Sequence, residues 1–371
     1  MNSLNVLMTS TSYPETQEDW RGRFIANLIA GLARHDGIKL SLWSPPGELP
    51  PQVTSTTTAE ETAWLQQLSR DGGIAHLLRQ IKPSAAATVI GLLKRLYSAY
   101  RRTPVDVVHI NWLQNALPMW GTDTPAVISV LGSDFGLLRL PGMKMLLRAV
   151  FSQRRVILAP NAEWMCPALK SAFGDLAEIR AIPFGVDASW FEMQRKLPDD
   201  VRHWLTVTRL TKNKIGDLFA WGEGLFGQER QLHLFGPMQE KMALPPWVIY
   251  HGPTHPAELL ERWFPKAAGL ITLSRHDEGR PQVMLEAMAA GLPVIASGLA
   301  AHRNLIEHRQ TGWLVDSADE FRAALVFLET PGHNQNIGAA ARAWTKTSIG
   351  TWDDCAERYI SAYHQLLERK S

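Results

Sequence analysis

Two glutamates eight residues apart, Glu278 and Glu286, open and close the stretch Glu-Gly-Arg-Pro-Gln-Val-Met-Leu-Glu, which continues Ala-Met-Ala-Ala-Gly-Leu-Pro-Val-Ile-Ala-Ser to Ser297. Pro281 suits the first turn of a helix, Gly291 its end, and the apolar run 292–296 a buried parallel strand. Glu278 is then on the loop before the helix and Glu286 inside it. At about 1.5 Å of rise per residue the two carboxylates lie roughly 12 Å apart. That span reaches both ends of a sugar nucleotide, with one carboxylate for the ribose hydroxyls and the other for the sugar. Between them the free amides of the first turn, near Arg280 to Val283, form an anion site fit for a diphosphate. Two glutamates beside an amphipathic helix are, taken alone, more often solvated acids.

The whole segment is more specific than its acids. With Gly279-x-Pro281 before the helix and Glu-Ala-Met-Ala-Ala-Gly-Leu-Pro-Val after it, it resembles the donor-binding motif of family 4 of the retaining glycosyltransferases, which have the GT-B fold. The resemblance implies a hexosyltransferase that moves a sugar from a nucleotide-diphosphate sugar with retention of configuration. It assigns donor binding to Glu286, Gly279, Arg280, Pro281, Gln282, Ser274 and Gly22, and catalysis to Glu278, Arg209, Lys214, His109 and Asp134.

Arg209 and Lys214 stand in Arg-Leu-Thr-Lys-Asn-Lys-Ile-Gly after a predicted strand. Each could form charge-assisted hydrogen bonds to a phosphate, worth roughly 1.5–3 kcal/mol apiece. A basic loop of this kind is more often solvated surface, but it resembles the family's Arg-Leu, three residues, Lys-Gly element. Ile215 replaces the usual glycine, which predicts a tighter loop. Cleavage of a sugar nucleotide leaves a diphosphate whose charge is met by a divalent metal or by fixed cations. No Asp-x-Asp occurs, and Asp199-Asp200 and Asp353-Asp354 read as caps. The expectation is metal-independent transfer with no cofactor, in which Arg209, Lys214 and the helix amides neutralise the leaving group. The preferred course is front-face substitution, with Asp134 the first candidate nucleophile were a covalent intermediate formed.

In the first half, Ser10-Thr11-Ser12-Tyr13-Pro14 follows a strand and Arg21-Gly22-Arg23 opens an amphipathic helix over 24–34. Gly22 would let the backbone approach a phosphate. A plain glycine turn is equally consistent, and similarity to the family's glycine-bearing first loop favours a ligand role bordering acceptor and diphosphate. His109 ends Val-Asp-Val-Val-His, and Asp134 lies in Leu-Gly-Ser-Asp-Phe-Gly. A single histidine on such a strand is usually structural, whereas both segments look like family elements that line the catalytic cleft. Leu131 stands where relatives often have a histidine that contacts the donor sugar, so that contact is absent or falls to His109, Ser133 or Asp134. Trp20, Trp43, Trp112 and Trp120 could stack on acceptor sugars, and segments 235–239 and 251–254 are expected to face the base.

These residues need strand ends to hold them, and the chain supplies two series. At 371 residues it exceeds one ordinary hydrophobic core. Apolar runs at 6–10, 39–43, 105–111, 126–131, 155–159 and 179–182, then at 204–208, 232–235, 248–250, 269–273, 293–296 and 312–315, alternate with helical patterns. The predicted fold class is α/β, GT-B, with two doubly wound Rossmann-like domains facing a central cleft, where open α/β sheets bind ligands. Pro183-Phe184-Gly185-Val186-Asp187 resembles the family's Pro-Asn-Gly-Val-Asp linker, with Phe184 in place of Asn. The domains are 1–184, acceptor-side, completed by the C-terminal helix within 352–371, and 185–351, donor-binding.

Composition narrows the rest. Cys166 and Cys355, outside any CxxC or Cys/His cluster, argue against a structural metal or a disulfide scaffold and are expected reduced and buried. Residues 1–13 lack a secretory pattern and no window reaches 18 apolar residues, so the protein is expected in the cytoplasm. The net charge is only +2, which argues against nucleic acid as partner. Yet 76–105 carries Arg79, Lys82, Lys94, Arg95, Arg101 and Arg102 without an acid among apolar residues, and 135–162 repeats the pattern. Such helices are usually core-facing with solvated cations, or they can lie on an anionic inner-membrane face. A glycan or lipid-linked glycan is the natural acceptor, as in surface polysaccharide synthesis, and UDP or GDP the expected base carrier. The alternative is a catalytically silent GT-B partner subunit, for which Leu131 is the sequence support.

Overall fold

The computed structural model describes residues 3–16, 19–72, 83–132, 134–196, 200–276 and 278–368. The chain divides into two compact units, 1–184 with 352–371, and 185–351. Ser133, Asp199, Arg79 and Lys82, all invoked above, lie outside the described residues.

In the first unit β1 (Leu4–Thr9), β2 (Ile38–Trp43), β3 (Thr54–Ser55), β4 (Val107–Asn111), β5 (Ala126–Val130), β6 (Val156–Pro160) and β7 (Glu178–Ile179) form one parallel sheet in the order β3-β2-β1-β4-β5-β6-β7. Its central strands are buried on both faces, which is why they read as unbroken apolar runs. The helix Trp352–Glu368 packs against the helix Arg23–Ala33 and buries Trp352, Tyr359 and Tyr363. It therefore completes the core of this unit rather than the one it follows in sequence.

The second unit holds β8 (Arg202–Val207), β9 (Arg230–Phe235), β10 (Val248–Gly252), β11 (Ala267–Thr272), β12 (Val294–Ser297) and β13 (Trp313–Val315), parallel in the order β10-β9-β8-β11-β12-β13. Strand order reverses between β1 and β4 in the first sheet and between β8 and β11 in the second. Diverging connections leave a crevice at the carboxyl ends of those strands.

Most strand bounds shift by one or two residues from the sequence pattern. The larger differences are β3, a two-residue polar edge strand without an apolar signal, and β7, where a longer run was expected. There Arg180 and Ile182 still donate main-chain hydrogen bonds to Leu158 and Pro160, so the ladder continues as irregular chain beyond the strand. Cys355 is buried, whereas Cys166 is only half-buried at the start of a helix, and the two are not joined by a disulfide.

Candidate active site

Four of the expected residues, Arg209, Lys214, Ser274 and Glu278, gather at the β8/β11 crevice of the second unit. After β8, Thr208 and Leu210 donate to Phe235 and Pro237, which fixes Arg209 between them. A short helix, Lys212–Ile215, is capped by Thr211, whose hydroxyl accepts from the Lys214 amide at 3.3 Å. Gly216 (φ 56°) follows, and a Cβ there would sit 1.8 Å from the Leu273 carbonyl. The glycine freedom that relatives have directly after the lysine is thus one residue later, and Ile215 turns into the core. The close approach of Gly216 brings the Lys214 loop against the end of β11.

From that end, the Ser274 hydroxyl reaches Glu278 Oε1 at 3.3 Å, and Lys214 Nζ lies 2.5 Å from the same oxygen. The ammonium and carboxylate are 13% and 14% exposed, so the pair is shielded yet reachable. Burial pushes the Lys214 pKa below its ordinary value; Glu278 opposes this and Arg209 adds to it. In this state the cation suited to a phosphate and the carboxylate suited to a sugar satisfy each other. Two further ties hold the loops together: the Arg275 amide donates to the Asn213 carbonyl at 2.7 Å, and the Arg275 guanidinium pairs with Asp217.

The helix after this loop is Gln282–Ala289, with Pro281 as its N-cap rather than in its first turn. No side chain caps it and no acid occupies its first turn, so its amino end stays positive. Gly291 (φ 74°) follows its end as expected. Glu286 is half-buried on the helix, and Gly279 is buried on the loop. Arg280 is 9% exposed and reaches Asn304 at 3.3 Å. Gln282, expected at the donor, donates its amide nitrogen to the Gly185 carbonyl at 2.8 Å and ties the helix to the start of this unit.

The sequence reading overlooked His302. Its ring is fully buried, and Nδ1 lies 2.9 Å from the Ser297 carbonyl, so Nδ1 carries the proton and Nε2 is a bare acceptor without a partner among the described residues. Burial lowers its pKa, with Glu278 and Lys214 close enough to act on it. Ser297 in turn donates to the Ser274 carbonyl at 2.6 Å, so the histidine braces the loop that carries Glu278. Only an isolated histidine in the sequence could have pointed to it.

In the first unit three expectations are corrected. His109 on β4 is a core group: its ring nitrogens lie 2.6 Å from the Tyr363 hydroxyl and 2.8 Å from the Ser129 hydroxyl, and burial pushes its pKa down to about 3. Neither nitrogen is left for a substrate. Asp134 uses both carboxylate oxygens on backbone amides, those of Leu113 and Leu131, each at 2.8 Å. Burial nevertheless raises its pKa, and it joins the loops after β4 and β5 instead of presenting a nucleophile. Gly22 (φ 68°) has the Ser12 and Tyr13 backbone 2.7 Å from where a Cβ would lie. Its missing side chain makes room for the protein's own loop, not for a phosphate.

The aromatic expectations divide similarly. Trp43 is wholly buried, whereas Trp20 and Trp120 are exposed. Trp112, just past β4, holds φ 68°, a strained value for a bulky side chain. Its ring packs edge-on against Phe24. Phe235 and His251, expected toward a base, stack on each other at 4.5 Å within the second unit; Met238 and Gln239 beyond β9 are exposed. No group of three or more His, Cys, Asp or Glu able to hold a metal occurs among the described residues.

Comparison with known proteins places this architecture. Residues 205–330 match the family model for glycosyl transferases group 1. A D-inositol 3-phosphate glycosyltransferase of Xylanimonas cellulosilytica is 30% identical over 126 residues, which is 33% of this chain and 29% of that protein. The amylovoran biosynthesis glycosyltransferase AmsK of Erwinia amylovora is 35% identical over 121 residues, 30% of this chain and 28% of its own. The aligned region thus spans under a third of either relative. Sucrose-phosphate synthase from Thermosynechococcus elongatus superposes with a TM-score of 0.73 at 17% identity, over 99% of this chain and all of that one. An Anabaena protein solved with UDP-glucose superposes with a TM-score of 0.63 at 15% identity, over 98% of this chain and all of its own. With two doubly wound units of the GT-B kind, and the Lys214, Ser274 and Glu278 cluster inside the matched segment, the chain carries a glycosyl transferases group 1 domain.

Proposed function

We propose that the protein is a retaining, metal-independent hexosyltransferase that transfers a sugar from a nucleotide-diphosphate sugar to a glycan or lipid-linked glycan in surface polysaccharide synthesis. The observation that carries this reading is the Lys214–Glu278 pair, held at the carboxyl ends of β8 and β11 inside the group 1 domain. Lys214 and Arg209 meet the charge that grows on the diphosphate. Their stabilisation rises as the bond breaks, which is the condition for accelerating it. The positive end of the helix Gln282–Ala289 acts in the same sense.

Glu278 turns from Lys214 to the sugar hydroxyls, and Glu286 takes the ribose. The acceptor oxygen attacks the anomeric carbon on the face that the leaving group departs. As the bond from that carbon to the phosphate oxygen breaks, the phosphate oxygen accepts the acceptor's proton, so configuration is retained and no residue is alkylated. A UDP donor is supported by the Anabaena neighbour solved with UDP-glucose, and polysaccharide synthesis by the likeness to AmsK.

Peripheral contact with an anionic membrane belongs to the same reading. On the helix Pro83–Arg102, Ile90 and Tyr97 are exposed beside Lys94 and Arg101; Met145 and Leu146 are exposed beside Lys144 on the helix Met143–Phe151. No helix among the described residues is long and apolar enough to cross a membrane. Turnover tests the proposal: the anomeric proton coupling of the product formed from UDP-sugar with EDTA present should match that of the donor, and Glu286→Ala should abolish product. Inverted product, or turnover indifferent to Glu286→Ala, would refute it.

A further inference from the structure

At the opposite end of the second sheet is a cavity of about 630 Å³ whose lining is cationic. Arg202 opens β8, Ala268 lies at the start of β11 and Gly291 precedes β12, so the cavity sits at the amino ends of these strands. Arg209, Lys214 and Ser274 stand at their carboxyl ends. Four cations line it, Arg195, Arg202, Arg342 and Lys346, against one carboxylate, Glu329. That carboxylate is already taken by Arg230 and by the Trp204 indole N–H.

Arg195 and Arg342 are held rigidly without an acid. Arg195 donates to the carbonyls of Gly291 at 2.9 Å and Ala267 at 2.8 Å, and Arg342 to those of Met193 at 2.9 Å and Ala290 at 2.7 Å. Neither forms an ion pair with a carboxylate among the described residues. Burial and the neighbouring Arg342 push Arg195 down to about 10, which records two like charges facing each other in a shielded place. The helix Pro331–Ser348 also begins at the cavity, through Pro331 and Asn334, with no side-chain cap and no acid in its first turn. Its positive end adds to the arginines.

A pocket with four cations, two of them tethered to backbone carbonyls, an uncapped helix start and one neutralised acid is built for a multiply charged anion. We propose that it binds a phosphorylated small molecule, separately from the crevice at the other end of the sheet. The volume admits a phosphate ester of sugar size. Through Arg195 and Arg342, which donate to the carbonyls of Gly291 and Ala290, the ligand would be linked to the carboxyl end of the helix that carries Glu286.

Calorimetric titration of the full chain with pyrophosphate tests this, in a Lys214→Ala background that weakens the crevice. Pyrophosphate should still bind there, and adding Lys346→Glu or Ala343→Glu should weaken it about tenfold or more by bringing a carboxylate to the cavity. Both positions are exposed on one face of a long helix, so neither change threatens folding. UDP affinity measured on Lys346→Glu alone should stay at the wild-type value, which separates this site from the crevice. Loss of all pyrophosphate binding in Lys214→Ala, or binding indifferent to both charge reversals, would overturn the proposal.

Discussion

Replacing Glu278 by glutamine should tighten the binding of UDP while it destroys transfer. In the free protein Lys214 is spent on Glu278 at 2.5 Å, and a diphosphate must compete for it. A pair 13% and 14% exposed is neither a surface bridge nor a sealed one, and its competition is worth about 1–2 kcal/mol. Removing it should strengthen UDP binding roughly five- to thirtyfold. Lys214→Met acts in the opposite sense: it removes a charge-assisted bond worth about 1.5–3 kcal/mol and should weaken UDP roughly ten- to hundredfold.

The pH profile supplies an independent sign. Glu278 is the group that holds the Lys214 pKa up against burial and Arg209. Without it, the ammonium loses its proton at a lower pH, so UDP affinity in Glu278→Gln should fall earlier on the alkaline side than in the wild type. Calorimetry with UDP and EDTA from pH 6.5 to 9.5 reads both effects. UDP binding that weakens in Glu278→Gln at neutral pH would refute the view that the two side chains occupy each other before the donor arrives.

Four further outcomes follow from single contacts. Gly22→Ala forces a Cβ into the Ser12–Tyr13 backbone at a left-handed φ and should cost about 2 kcal/mol or more, read as a lowered urea midpoint. Asp134→Ala orphans the amides of Leu113 and Leu131, which should cost about 2–4 kcal/mol and accelerate amide exchange at those residues, with a nucleophile's role excluded if transfer survives in the folded fraction. His109 and His233 are both held near a pKa of about 3 by burial. The unfolded chain binds their protons below about 6.5, so stability is full above that pH and falls as pH drops toward 3; the proton uptake on unfolding at pH 5 should be about one lower in His109→Gln. Vesicles with anionic lipid should retain the protein, and Met145→Glu with Ile90→Glu should release it; retention by neutral vesicles alone would contradict the charge argument.

How far the sequence disclosed this molecule follows from what each signal depends on. The strands were legible because parallel strands buried on both faces must be continuously apolar, and β4, β5 and β6 are. The Thr54–Ser55 strand carries no such mark, since two polar residues at a sheet edge need only hydrogen bonds. Lys214 and Glu278 are 64 residues apart, and their meeting could be anticipated because each follows a strand that flanks the reversal of strand order. The state of His109 could not, because Tyr359 and Tyr363, which enclose it, arrive from a helix some 250 residues later. The row of His203, His233 and His251, linked ring to ring at 2.9 Å across β8, β9 and β10, is invisible for the same reason: strand register alone creates it. Gly22 misleads in a different way, since a glycine required by the chain's own backbone looks the same in sequence as one that makes room for a ligand.

The most direct measurement is thermal stabilisation by a panel of nucleoside diphosphates and sugar nucleotides with EDTA present, repeated on Lys214→Ala and Glu286→Ala. A shift with one base, diminished in both variants, is the predicted result and establishes a donor site in the second unit that works without metal. A panel that leaves the wild type unmoved, or shifts both variants as much as the wild type, would contradict it.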